Sequence, residues 1–429
     1  MKETVAEADG ISSSQPARTR NIQALVSFFE SGIKSPDAPR KLGIELEHIV
    51  VHDDMSPVSY SAPDGIAKLL SELSADYPNV TTDAEGDILG VSRPSEAVTI
   101  EPAAQVELSA GPFTDLASAE KTFAGFEKHV RALLQPRHER LLNIGYHPSA
   151  PARSLELIPK KRYKFMNRYL SAKDTCGPCM MRGSASTQVS IDYINVEDCL
   201  RKLRIAYALV PILALVSDNS PVFEGKKRDR KLVRTYVWEH VDTDRCGLIP
   251  GVFDRDFSLE RYAEHVLDTP AILVPDDHEQ WRYSEQTFGE IYAEHEMTER
   301  DVEHAVSMLF PDVRLKTYVE IRPADCMPIP YVIAYTALIK GLFYRKESLE
   351  KLDDLFESVD EATFNEAKTQ LMAHGYEATV YGSPVAQLCD KVFAIAQEGL
   401  DDEDRGRLAP LAELVARRIT LADLAENKE

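Results

Sequence analysis

The chain has 429 residues, 44% hydrophobic and 28% charged, the proportions of a soluble globular protein long enough for one large domain or two ordinary ones. Its 49 basic and 70 acidic residues give a net charge of −21, a field that repels nucleic acid and anionic membrane as main partners but leaves room for a nucleotide held locally by cations. The longest strongly apolar run, Ile205 to Val216, is too short to cross a bilayer and contains Pro211.

Residues 1–19 are polar and Ser/Ala-rich with no apolar stretch, and read as a flexible tail rather than a signal peptide. A catalytic α+β region is expected over 20–342 and a helical C-terminal part, packed on it, over 343–429. Ile22 to Ile33 has helical periodicity. Ala117 to Leu142 reads as one long amphipathic helix with Val130, Leu133 and Leu134 on its apolar side. A buried helix starts near Asp198 and stops at Asn219-Ser220-Pro221, and from Tyr331 onward the chain reads as almost wholly helical. Strands and helices alternate without regular βαβ spacing, which argues against a doubly wound parallel sheet. Six cysteines without regular spacing suit a reducing cytoplasm.

Four stretches alternate apolar residues with acids or amides: Gly43 to Glu47, Ile100 to Ser109, Thr187 to Asp192 and Tyr318 to Arg322. Residues two apart on a strand point the same way. Glu45 and Glu47 therefore share a face, as do Gln105, Glu107 and Ser109, and Glu320 with Arg322. The same pattern describes any one-sided antiparallel sheet with a wetted face. If the strands join one sheet, however, its polar face gathers at least four carboxylates, which raise one another's pKa. Divalent cations relieve that repulsion, and oxygen-only ligands suit Mg²⁺, with Mn²⁺ as the alternative.

Arg322 faces the same way as Glu320, and its forked guanidinium suits a phosphate or carboxylate; a buried ion pair with Glu320 or Glu107 is the alternative. Arg234 and Arg245 are further anion-binding candidates. Lys160, Arg162 and Lys164 form a basic cluster around Tyr163, either a solvated charge run or a phosphate or substrate site. Arg234, Tyr236 and Trp238 alternate and could line one surface, although Trp is as readily core. Cys176-Gly177-Pro178-Cys179 has the spacing of a redox tetrad, but it is expected in a polar loop leading into a strand, the wrong context for redox catalysis; a regulatory disulfide stays open. A zinc site would lack two ligands. There is no Walker loop, G-x-G-x-x-G, H-E-x-x-H or G-x-S-x-G.

From about Leu42 to about Pro330 the chain resembles the plant-type glutamate–cysteine ligases and the related actinobacterial enzymes that begin ergothioneine synthesis. Gly43-Ile44-Glu45-Leu46-Glu47 is similar to that family's G-x-E-x-E strand, and Thr99 through Ser109 to its E-P-G-G-Q-x-E-L-S segment, with Ala103-Ala104 in place of two glycines. Pro159 to Met166 is similar to P-K-x-R-Y-x-x-M, and Met180-Met181 with Ser186 to Asp192 to M-M-x-x-T-x-x-x-Q-V-N-x-D. Asn219-Ser220-Pro221, Arg234 and Trp238 leading into Asp242 to Gly247, and Leu309 to Asp325 complete the series in order. Arg182-Gly183-Ser184 and Pro323 depart from the pattern, and these departures are expected to reshape the acceptor pocket.

The resemblance implies a glutamine-synthetase-like antiparallel sheet curled into an open cup with helices outside. It implies an ATP-dependent ligase that joins the γ-carboxylate of L-glutamate to the amino group of L-cysteine through a γ-glutamyl phosphate, with Mg²⁺. Such phosphoryl transfer is mostly positioning and charge neutralisation. By resemblance Glu45, Glu47, Glu101, Glu107 and Glu320 are the metal ligands and Gln188 a neutral oxygen ligand beside them. Lys160, Arg162 and Lys164 belong with the nucleotide, and Arg322, Arg234 and Arg245 with catalysis. A monomer or homodimer is expected. The other readings are a γ-glutamyl ligase or phosphotransferase of this fold with another acceptor, and a non-catalytic metal-binding relative.

Overall fold

The computed structural model describes residues 16–275 and 280–426. Its centre is a nine-stranded sheet. We number the strands β1 (Leu42–His52), β2 (Asn79–Thr82), β3 (Ile88–Arg93), β4 (Glu96–Ile100), β5 (Val106–Phe113), β6 (Glu139–Leu142), β7 (Ser186–Ile191), β8 (Val313–Leu315) and β9 (Val319–Asp325). They lie in the order β8-β9-β7-β1-β5-β4-β3-β2, with β6 also on β1, and every pairing is antiparallel. The expected α+β class with a large antiparallel sheet is thus observed.

The helices that matter for the site are α1 (Ala17–Glu30), α2 (Leu116–Leu134), α3 (Lys161–Lys173), α4 (Val196–Val216), α5 (Val233–Glu239) and α6 (Ile329–Phe343). Alternation does what period two requires: Ile44, Leu46, Val106, Leu108, Val189, Ile191, Val319 and Ile321 are all at most 1% exposed. That apolar side is covered by helices, with α4 against β9 and α6 against β1 and β7. At roughly 2 kcal/mol per fully buried aliphatic side chain, this layer fixes which face is left for polar groups. A one-residue slip would reverse it.

Three expectations shift. Helix α1 begins at Ala17, three residues inside the segment expected to be tail, and residues 1–15 of that segment lie outside the described residues. The long helix expected to Leu142 stops at Leu134; Pro136 ends it in a short turn, His138 adopts φ 57°, and the chain enters β6. Ile100 to Ser109 is two strands, not one. Residues 101–105 form a tight connection closed by Glu101 N–H to the Gln105 carbonyl at 2.9 Å and Ala104 N–H to the Glu101 carbonyl at 2.9 Å. Ala104 sits there at φ 65°, a left-handed conformation that glycine adopts more easily. The buried helix α4 appears where expected, capped by Asn195, whose side chain accepts from Asp198 N–H at 2.7 Å.

Candidate active site

The polar face of the sheet carries a cavity of about 290 Å³ lined by Glu45, Glu47, Glu101, Glu107, Gln188, Lys160, Arg162, Arg234 and Arg322 among others. Nine of the twelve candidate residues therefore meet on one surface; Glu320, Arg245 and Lys164 do not line it.

The strand register explains the meeting. Glu47 is opposite Glu107, Glu45 lies between Ser109 on β5 and Gln188 on β7, and Thr99 is opposite Glu107. Directly opposed carboxylates are unfavourable without a counter-charge. Burial, then the neighbouring carboxylates, push Glu45 up to about 7, Glu47 up to about 8 and Glu107 up to about 7. Local donors offset part of that cost. Ser186 N–H reaches Glu47 Oε2 at 2.7 Å, and the Thr99 and Ser109 hydroxyls reach Glu107 Oε1 at 2.8 and 3.1 Å. Glu101 projects from the 101–105 turn rather than a strand, and the Tyr163 hydroxyl lies 3.4 and 3.5 Å from its two oxygens.

Glu320 is the main correction. It shares the polar face, opposite Arg314 on β8 and Ser190 on β7, but is 0% exposed. Three cations hold it: Arg314 Nε at 2.8 Å, Lys316 Nζ at 2.9 Å and Arg322 Nη1 at 2.8 Å. Burial opposes the charge, yet Arg314, Lys316 and Arg322 keep its carboxyl well below the usual range. It therefore acts here as the anchor of a cation cluster. Arg322, which also donates to Gln188 Oε1, combines both sequence alternatives, since it is ion-paired and also lines the cavity. Arg314 lines the cavity too, a residue that sequence reasoning missed although Val313-Arg314-Leu315-Lys316 alternates like its neighbours.

The basic cluster divides by helical geometry. Lys160 and Tyr163 are three apart and face the cavity together, with the ammonium 4.8 Å from the ring centroid. Burial pushes the Lys160 pKa down. Arg162 lines the cavity with its Nε–H unpartnered and buried, while Lys164 points to solvent. Arg234 and Trp238 also face inward, but as the i, i+4 pair of helix α5; Tyr236, expected to line the same surface, lies outside the lining and packs on His240. Arg234 donates to the Pro323 and Ala324 carbonyls at 3.1 and 2.9 Å and sits 3.7 Å from Asp325. Asp325 accepts from Asn219 N–H at 2.8 Å and the Ser220 hydroxyl at 2.6 Å. Next to these, Asp218 accepts from Arg228, which also holds Asp423 and Glu426 of the helix Leu421–Glu426. Arg245 is structural: 1% exposed, it pairs with Asp242 at 2.6 Å and donates to the Met308 and Pro270 carbonyls.

Cys176 and Cys179 are free and buried. The expected polar loop is instead a helical turn, Cys179–Gly183, whose Met180 and Met181 form an apolar wall of the cavity.

Among the described residues no three carboxylate, imidazole or thiolate groups converge tightly enough to enclose an ion on their own. That donor set does suit Mg²⁺, which typically takes one or two carboxylates and fills its octahedron with water and substrate phosphate oxygens. Cross-strand Glu47 and Glu107, each poor at holding its charge alone, are such a pair.

Comparison with known proteins identifies the family. The chain is 28% identical to glutamate–cysteine ligase B, chloroplastic, of Oryza sativa subsp. japonica over 388 residues, covering 88% of this chain and 77% of that protein. It is 29% identical to glutamate–cysteine ligase, chloroplastic, of Arabidopsis thaliana over 414 residues, covering 93% and 78%. Its fold is similar to that of glutamate–cysteine ligase from Francisella tularensis, solved in complex with AMP, with a TM-score of 0.55 and 13% identity over 89% of this chain and 83% of that one. The model of glutamate–cysteine ligase family 2 matches residues 41–407, and with more than three quarters of its length so matched the chain belongs to that family of ligases.

Proposed function

We propose that this chain uses ATP and Mg²⁺ to join the side-chain carboxylate of L-glutamate to the amino group of L-cysteine, releasing γ-glutamylcysteine, ADP and phosphate. The observation that carries the reading is the division of one cavity into carboxylates that form no ion pair among the described residues (Glu45, Glu47, Glu101, Glu107) and inward-facing cations (Lys160, Arg162, Arg234, Arg322). A carboxylate is a poor electrophile. Transfer of the terminal phosphoryl group of ATP to it gives an acyl phosphate with a good leaving group, which the amine displaces.

Mg²⁺, when bound, supplies positive charge for the phosphate oxygens; Glu47 and Glu107, with Glu45 and Glu101 beside them, would hold it. The protein's own cations do the rest. Arg322 is pinned by Glu320 and Gln188, so its remaining N–H groups are preorganised toward the cavity, where developing charge is best stabilised. Lys160 and Arg162 fit a substrate carboxylate or phosphate. Arg234, fixed by two carbonyls, fits the glutamate α-carboxylate. Met166, Met180 and Met181 give the acceptor a soft apolar wall that suits a thiol. Residence in the cytoplasm belongs to the same reading and is supported by six unpaired cysteines.

Mass spectrometry of products from glutamate, ATP, Mg²⁺ and an equimolar mixture of amino acids tests the reaction. γ-Glutamylcysteine should dominate, with 2-aminobutyrate accepted more slowly, since such a side-chain contact is worth about 1–3 kcal/mol. A dominant product without cysteine would leave a ligase of another acceptor; phosphorylated product without amide would make the chain a phosphotransferase.

A further inference from the structure

Behind one wall of the main cavity lies a second, of about 140 Å³, lined by Ala103, Ala104, Gln105, His147, Glu156 and Arg182 among others. At about 30 Å³ per water this is room for more than one solvent molecule. His147 is 3% exposed, and its Nδ1 accepts from Ala150 N–H at 3.1 Å and Ser149 N–H at 3.3 Å. The ring proton therefore sits on Nε2, and Nε2 has no partner. Burial holds the ring neutral by pushing its pKa down to about 4, so it offers one N–H and no charge.

Arg182 supplies the charge. Its Nη atoms donate to the Leu155 carbonyl at 3.0 Å and to Asn167 Oδ1 at 2.5 Å, its Nε–H is buried without a partner, and no carboxylate pairs with it among the described residues. A half-buried guanidinium without a counter-ion, beside a buried unsatisfied N–H, is costly unless an anion satisfies both. Glu156, which lines the same cavity, provides the opposite charge and accepts from Ser61 N–H at 3.2 Å.

We propose that this cavity is a separate binding site for a small zwitterionic α-amino acid, its carboxylate on Arg182 and His147 Nε2–H and its ammonium group on Glu156. The site does not depend on the ligase assignment. Its residues include two of the three places where the sequence departs from the family pattern, Ala103-Ala104 and Arg182, so these two departures meet in space; the third, Pro323, lies elsewhere. It also touches the main cavity through Gln105, which lines both and whose Nε2 donates to the Ser184 and Met181 carbonyls at 2.9 and 3.3 Å. A bound amino acid therefore rests on the residue that sets the Met180–Ser184 wall.

Isothermal titration of glycine into the full chain, with acetate, methylammonium and inorganic phosphate as comparators, tests the site. Glycine should bind saturably and more tightly than any comparator. Arg182→Met should weaken it at least about tenfold, equivalent to about 1.4 kcal/mol, and Glu156→Gln should erase its advantage over acetate. Glu47→Gln, which alters only the main cavity, should leave glycine binding intact. Melting curves check folding, and if Arg182→Met fails to melt cooperatively, Arg182→Lys replaces it and should weaken glycine in the same direction. Absence of saturable glycine binding would mean a solvent-filled cavity and overturn the proposal. So would phosphate or acetate matching glycine, or glycine binding that survives in the Arg182 variant but is lost in Glu47→Gln.

Discussion

Glu47 and Glu320 occupy the same face of the same sheet, Glu47 half-buried at the cavity and Glu320 fully buried, yet they carry their charge under opposite conditions. Glu47 faces Glu107 and is pushed up to about 8, whereas Glu320 is surrounded by Arg314, Lys316 and Arg322 and held well below the usual range. The face is therefore not a uniform acidic patch. It is acid-rich across β1 and β5 and cation-rich across β8 and β9. A polyphosphate with its metal ion needs both halves: carboxylates for the metal and guanidinium groups for the oxygens that the metal does not reach.

Exchanging charge for an amide at each pole should separate the two roles. Glu47→Gln is expected to cost at least about 100-fold in ADP release, the scale of removing one preorganised electrostatic element. The same variant, without metal, should melt higher than the parent at pH 8, because a strained anion is gone. Unchanged turnover in a folded protein would remove Glu47 from the metal site. Glu320→Gln is expected to lose activity and also stability, by about 3–5 kcal/mol, since it leaves Arg314, Lys316 and Arg322 without their shared anion. Denaturant unfolding checks this, and a melt at or above the parent's would show that Glu320 is not the anchor.

A smaller effect concerns pH. Glu45, Glu47 and Glu107 bind protons more tightly folded than unfolded, where carboxyls titrate near the ordinary 4.5. Between about pH 4.5 and 8 the native chain thus holds more protons than the unfolded one, and this site's contribution to stability falls as pH rises. Mg²⁺ should restore it, so the ion's stabilisation measured by calorimetry should be larger at pH 8 than at pH 6. Equal increments would indicate that the ion binds elsewhere. The least disruptive change is Cys176→Ser with Cys179→Ser, which is expected to keep most reduced-state ligase activity. A collapse with an intact melt would place the thiols in the reaction.

The acidic half was legible because period two in a one-sided sheet leaves no choice: once Ile44, Leu46, Val106 and Leu108 are buried, Glu45, Glu47 and Glu107 must share the other side. The cation-rich half was legible only in part. Val313-Arg314-Leu315-Lys316 carried the same alternation in the opposite sign, but a carboxylate shared by three cations is a property of cross-strand register, which local spacing does not contain. Arg234, Tyr236 and Trp238 were read as alternating onto one surface because four residues apart satisfies both period two and one helical turn; only the run Val233–Glu239 closing as a helix decides. Arg245 failed as a candidate because Asp242, three residues away, takes its charge within the same loop. The second cavity was hinted at by unusual residues, but its depth needed the fold.

The helix Leu421–Glu426 lies beyond the stretch matched by the family model, yet Asp423 and Glu426 complete the coordination of Arg228, which is buried against Asp218. In the order of synthesis those two carboxylates leave the ribosome after every other residue of the site. Until they arrive, Arg228 has only Asp218 of its three carboxylate partners, next to Asn219 and Ser220, which fix Asp325 and through it the Arg234 side of the cavity. A nascent chain can form the sheet early, but the Arg234 side of its substrate site gains its last support only once residues 421–426 have emerged.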